Sequence, residues 1–144
     1  MDNPDSSDID RLTVGDLMTE KVVVLKETTT LQQAVRTMVS NGIRHLPVVK
    51  DGVPIAVLSD RDVRMKVSDL VDPQERQKYM ENTAVIAHAS KPVTSATRDL
   101  PVRDAAQIFV ESRIGCLPVV DDQGRLIGIV TQTDLLKWLA QMTG

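Results

Sequence analysis

Large aromatic side chains are nearly missing from this chain of 144 residues, which has one Trp, one Tyr and one Phe. Its core must therefore be aliphatic, packed from Val, Ile, Leu, Ala and Met. A basic excess is missing too: 17 Lys and Arg stand against 20 Asp and Glu, giving a net charge of −3 and a pI near 5.3. Such a surface offers no positive field to a phosphate backbone, so nucleic-acid binding is disfavoured and a small anionic ligand would need a local site. The single cysteine, Cys116, excludes an internal disulfide, and its place inside an apolar run fits a buried thiol in a reducing compartment. No apolar stretch approaches the length of a membrane span, and the opening MDNPDSSDID is acidic and polar, the opposite of a secretion signal. The expectation is a cytoplasmic protein with no membrane contact. With 42% hydrophobic and 26% charged residues, the chain can bury a core as one compact domain or two very small ones packed together.

What is present is repetition. The stretch HLPVVKDGVPIAVLSDRDV, from His45 to Val63, returns in altered wording as CLPVVDDQGRLIGIVTQTDL, from Cys116 to Leu135. Upstream, Leu31, Ala34, Val35, Met38 and Val39 place an apolar stripe down one face of a helix. Adding 71 gives Val102, Ala105, Ala106, Phe109 and Val110, the same stripe at the same spacing. The preceding TTT at Thr28 to Thr30 and RDLP at Arg98 to Pro101 carry helix-start chemistry. The runs LPVV at Leu46 to Val49 and Leu117 to Val120 read as short buried strands, and PIAVLS and LIGIVT as their hairpin partners. One extra turn residue in DDQG moves the offset to 72 from Gly52 and Gly124 onward.

A second helix opens near Asp62 and Asp134, and VVVL at Val22 to Leu25 and VTSA at Val93 to Ala96 are expected as first strands. Each unit is then strand, helix, strand, strand, helix, an α+β fold of two β-α-β-β-α repeats at 12–68 and 85–141. The charged stretch between them, 69–84, reads as a helical connector broken by its proline, and residues 1–11 as a disordered segment. Each sheet has one face covered by helices, so the two open faces are expected to bury each other, sheet to sheet, about a pseudo-twofold axis that leaves two clefts.

The fixed order of these words, twice over, resembles a tandem pair of CBS domains, the ligand-sensing units called Bateman modules. VGDLMT at Val14 to Thr19, GIRHLPVV, RIGCLPVV, AVLSDRD and GIVTQTD carry the likeness, over roughly residues 12 to 140. The resemblance implies clefts that bind AMP, ADP, ATP or S-adenosylmethionine, association as a homodimer, and signalling to a regulated partner protein. The family's ribose-and-phosphate signature, Gly, apolar, any, Ser/Thr, any, any, Asp, falls on Gly128 to Asp134, including Thr131 and Thr133, and matches throughout. In the first copy it falls on Ala56 to Asp62, including Ser59 and Arg61, with Ala56 in the glycine position, where a methyl group could crowd an approaching backbone. The resemblance further implies that each cleft is completed by the other repeat. Met18, Val23, Ile43, Arg44 and His45 would line the cleft of Asp134, and Ala89, Thr94, Ile114, Gly115 and Cys116 that of Asp62.

The chemistry of these positions also stands without the family. A hydroxyl at a strand-to-helix junction sits beside the free N–H groups of the first turn and suits an anion such as phosphate. A carboxylate three residues on can accept charge-assisted hydrogen bonds from two neighbouring ribose hydroxyls. The same Ser59-x-x-Asp62 and Thr131-x-x-Asp134 spacing is also that of a capping box, in which both groups serve only the helix. Arg44 and Arg61 could reach phosphates or form surface ion pairs. Neither His45 nor His88 has a partner at metal-ligand spacing, so no metal site is expected. No nucleophile-base pair, metal cluster or glycine-rich dinucleotide loop points to an enzyme, and no catalytic residue or required cofactor is expected. A sensor of an adenosine-containing ligand is the leading reading. A protein-interaction dimer with vestigial clefts is the alternative.

Overall fold

The structure, a computed structural model, describes residues 10–142, with Met142 described by its backbone alone. The fold is α+β, in the order α1 (Val14–Leu17), α2 (Leu31–Asn41), β1 (His45–Lys50), β2 (Val53–Ser59), α3 (Asp60–Val67), α4 (Pro73–Asn82), a 3-10 turn (Val85–Ala87), β3 (Ala96–Thr97), α5 (Val102–Ser112), β4 (Cys116–Val120), β5 (Leu126–Thr131) and α6 (Gln132–Met142). Both hairpins form as the repeat predicts. β1 pairs antiparallel with β2 and β4 with β5, each with a register shift at an equivalent place, between Val48 and Val49 and between Val119 and Val120. The apolar stripes supply the cores: Leu31, Ala34 and Met38 of α2, and Val102, Ala105 and Phe109 of α5, are buried. The stripe is narrower than its apolar letters, for Val39 and Val110 are 77% and 75% exposed.

Two expectations about local structure are corrected. The first strands are shorter than Val22–Leu25 and Val93–Ala96: copy one keeps a single parallel bridge, Leu25 to Val48, and copy two keeps Ala96–Thr97. Pro47 explains this. Leu25 N–H donates to the Pro47 carbonyl at 2.9 Å and Val49 N–H to the Leu25 carbonyl at 2.8 Å, so in a parallel ladder the next bond toward the N-terminus would need the N–H that Pro47 lacks. Pro118 holds the equivalent place in copy two. In the connector, Pro73 starts a helix rather than breaking one: it is the first residue of α4, and Asp72 caps the end by accepting from Gln74 N–H at 2.9 Å. Of the expected disordered segment, residues 1–9 lie outside the described residues, whereas Asp10 and Arg11 are helical and Asp10 Oδ1 meets Arg103 Nη2 at 3.0 Å.

The compact units do not follow the sequence repeats. Of the described residues, one joins those up to Val22 with those from Thr94 onward, and the other is Val23–Val93. Each repeat gives its opening segment to the other's core. Thr13 bridges Pro101 and Thr19 bridges Ile129 in the first unit; Ala84 bridges Thr30 and Ser90 bridges Val57 in the second. The offsets of 71 and 72 relate these bridges one to one. Val14 and Val85, both fully buried, anchor the exchanged segments in the two cores. Val14 N–H and Gly15 N–H donate to the Leu100 and Arg98 carbonyls, both at 2.8 Å. A Cβ on Gly15 would stand 2.9 Å from the Arg98 carbonyl oxygen, so the close seating of α1 needs a glycine there.

Candidate functional site

Each unit ends its hairpin in a hydroxyl residue and turns directly into a helix. In the second unit, Ser59 Oγ accepts from Asp62 N–H at 3.0 Å while Asp62 Oδ2 accepts from Ser59 N–H at 3.2 Å. In the first, Thr131 Oγ1 accepts from Asp134 N–H at 3.2 Å while Asp134 Oδ2 accepts from Thr131 N–H at 2.8 Å. Both capping boxes are therefore real. They use one carboxylate oxygen each. Among the described residues, Oδ1 of Asp62 and of Asp134 takes no hydrogen bond, and both side chains are only partly buried. Capping and ligand binding are thus compatible: the box fixes the carboxylate and leaves Oδ1 available.

The strand opposite supplies the neighbours. His45 pairs with Ser59 and Cys116 with Thr131, so these side chains lie beside the caps. Asp60 N–H donates to the Arg44 carbonyl at 2.8 Å, and Gln132 N–H to the Gly115 carbonyl at 3.1 Å, which ties each helix start to the residue before its strand. Gln132 adds a side-chain bond, Nε2 to the Ile114 carbonyl at 3.0 Å. Asp60 is paired through Oδ2 with Arg64 Nε at 2.9 Å, so its charge is answered locally. Burial lowers the pKa of His45, with Asp62 the first of the charges that oppose it. Cys116 is buried and its pKa is pushed up to about 12 by that burial, which leaves an inert thiol.

The expected site residues divide between the units. Val23, Ile43, Arg44, His45, Ser59, Arg61, Asp62 and Ala89 belong to the unit Val23–Val93; Met18, Thr94, Ile114, Gly115, Cys116, Gly128, Thr131, Thr133 and Asp134 belong to the other. Within their units, the structure gathers Ser59, Asp62, Arg44 and His45, and likewise Thr131, Asp134, Gly115, Cys116 and Ile114. Arg61, Arg44, Thr133 and Thr94 are exposed and carry no ion pair or side-chain hydrogen bond among the described residues. Gly128 leaves room for a neighbouring segment of its own unit. A Cβ there would stand 2.5 Å from Met18 Sδ and 3.1 Å from the Thr19 carbonyl oxygen, so the space is taken by the exchanged segment. Thr19 itself was not singled out from sequence. It pairs with Ile129 through two backbone bonds of 2.8 and 3.0 Å, and its counterpart Ser90 does the same with Val57; the 71-residue offset between the two hydroxyl residues was the available signal.

The model of one family, the CBS domain, matches twice, at residues 14–69 and 85–141. The chain belongs to the CBS domain family. Its two matched stretches make it a CBS pair, the first containing the box of Ser59 and Asp62 and the second that of Thr131 and Asp134. The pair is 33% identical over 137 residues to a CBS domain-containing protein of Dictyostelium discoideum, covering 92% of this chain and 94% of that one. It is 31% identical over 131 residues to the uncharacterised protein MJ1225 of Methanocaldococcus jannaschii, of which it spans 47%. The crystal structure of CBSX2, an Arabidopsis thaliana CBS-pair protein, in complex with AMP superposes with a TM-score of 0.75 at 27% identity, covering 92% of this chain and 98% of that one.

Proposed function

We propose that this CBS pair is a regulatory module that binds an adenosine-containing ligand, AMP, ADP, ATP or S-adenosylmethionine, and passes its occupancy to a partner protein. The observation that carries this reading is the duplicated junction in which Asp62 and Asp134 are held by their caps through Oδ2 alone. A fixed carboxylate with Oδ1 available suits vicinal ribose hydroxyls. The hydroxyls of Ser59 and Thr131, beside the first helical turn, suit the 5′ side of the ligand. AMP bound to the similar CBSX2 supports the choice of ligand class. The module acts by binding rather than catalysis, with no cofactor required. A cytoplasmic location accords with the buried thiol of Cys116, and no described helix is long and apolar enough to cross a membrane.

A screen of melting temperature against AMP, ADP, ATP, S-adenosylmethionine and NAD tests the reading. One of the adenosine compounds should raise the transition, by an amount that grows with concentration. No rise with any of them would leave the second reading, a protein-interaction dimer with vestigial clefts. That reading draws on Val110, Leu136 and Leu139, which are 75%, 64% and 48% exposed on α5 and α6. Val63 on α3 and Leu135 on α6 are core residues at 3% and 9% exposure and add nothing to that surface. A homodimer through the exposed set is part of either reading. Sedimentation should give a dimer that Leu136→Asp with Leu139→Asp converts to a monomer.

A further inference from the structure

The two most exposed helical valines occupy equivalent positions, and their surroundings differ in charge. Val39 on α2 and Val110 on α5, 71 residues apart in sequence, are 77% and 75% exposed. Arg36, Val39 and Ser40 stand at i, i+3 and i+4 and so share one face of α2; Gln107, Val110 and Glu111 share the equivalent face of α5, and all six are exposed. Where copy one has Arg36, copy two has the neutral Gln107, and where copy one has the neutral Ser40, copy two has Glu111. The face of α2 is therefore apolar and cationic, and that of α5 apolar and anionic. Neither charge is answered within the chain. Among the described residues Arg36 and Glu111 form no ion pair, and Glu111 Oε1 accepts only the neutral Gln107 amide, at 2.6 Å.

We propose that a second copy of this chain covers these faces head to tail, α2 of each copy on α5 of the other, so that Val39 meets Val110 of the second copy and Arg36 meets Glu111 of the second copy. This rests on the homodimer reading above and adds to it which faces meet. The twofold axis of such a dimer repeats the contact, so each opposite-charge pair forms twice. Burying valine on valine removes the same apolar area from water whether α2 meets α5 or its own copy, so the charges decide between the arrangements. Like on like would draw Arg36 toward a second Arg36 and Glu111 toward a second Glu111 as the valines leave water. Head to tail turns both repulsions into attractions.

The test maps the contact in the full chain. Because Cys116 is buried, Val39→Cys and Val110→Cys each supply one accessible thiol. A short bifunctional maleimide should link a mixture of the two proteins into covalent dimers and leave each protein by itself unlinked. Arg36→Glu and Glu111→Arg should each raise the dimer dissociation constant, measured by sedimentation, by about tenfold, and the double variant should return it close to the wild-type value. In a like-on-like dimer each single-cysteine protein links to itself, and the double charge reversal gains nothing over the single ones; either result overturns the proposal. A wild type that sediments as a monomer removes the homodimer reading and this one together, whereas a dimer whose single-cysteine variants link to themselves removes this one only.

Discussion

Asp134 Oδ2 accepts the Thr131 N–H at 2.8 Å, and Thr131 Oγ1 accepts the Asp134 N–H in return at 3.2 Å. This reciprocity makes the aspartate a structural group before any ligand arrives. Asp134→Ala should therefore lower stability by about 0.5 to 2 kcal/mol without ligand. Charge-assisted hydrogen bonds to a ribose are worth about 1.5 to 3 kcal/mol, so the same variant should also lose at least about tenfold in adenosine-ligand affinity. Asp134→Asn separates the two effects, because its amide oxygen can keep the cap while the charge is gone. Melting curves of all three proteins with and without AMP check this. Equal AMP-induced shifts, measured below saturation, would leave Asp134 as a cap alone.

Met18 above Gly128 predicts a dependence that neither residue shows by itself. Gly128→Ala should destabilise the protein by about 1 to 3 kcal/mol, since the new methyl meets Met18 Sδ and the Thr19 carbonyl. Met18→Ala should cost stability through lost packing. The double variant should be less unstable than the sum of the two, by at least about 0.5 kcal/mol, because the small side chain makes room for the methyl. Urea unfolding of the four proteins gives the coupling directly. A strictly additive pair would mean that the Thr19 carbonyl, not Met18, is what Gly128 accommodates.

Arg113 occupies the left-handed region, with φ 55, at the end of α5. The equivalent end of α2 is closed by Gly42, with φ 63. A side chain in this region costs about 1 to 2 kcal/mol, offset in part by the larger unfolded-state entropy of glycine. Arg113→Gly should then stabilise the protein by about 0.5 to 1 kcal/mol, seen as a higher urea midpoint at unchanged slope. Gly42→Arg, the reverse change at the equivalent position, should lower the midpoint.

The elements that sequence made legible are those whose cause is local. Leu31, Ala34 and Met38 recur as Val102, Ala105 and Phe109 because a helix places them on one face, and the hairpins recur because their turns do. Ser59, Asp62, Thr131 and Asp134 were legible as a group because hydroxyl and carboxylate must be three residues apart to cap. The exchange of opening segments was hidden, since a repeat reads the same whether Val14 packs on its own copy or on the other. Pro47 and Pro118 were read as strand residues; their missing N–H groups matter only against a parallel neighbour that sequence does not reveal. Gly128 was legible as a glycine from its motif, but its close approach to Met18 was not, because Met18 belongs to a segment 110 residues earlier.

His45 carries the pH dependence. Burial is the largest influence on it and lowers its pKa, opposed in order by Asp62, assisted by Arg44 and opposed by Asp60. The unfolded chain, with histidine near its ordinary value of about 6.5, then binds more protons than the folded one as pH falls below that value. Stability from this group is complete above about 6.5 and declines as pH drops through the lowered folded value, the sign expected for a histidine kept neutral by its surroundings. Urea unfolding between about pH 5 and pH 7.5 should show stability rising with pH, and His45→Gln should flatten the slope. Asp62→Ala supplies an independent check, for it removes the leading charge that favours the imidazolium. In that variant the His45 ring, followed by its proton chemical shift, should titrate at a lower pH than in wild type. An unchanged titration midpoint would mean that the Asp62 carboxylate does not act on His45.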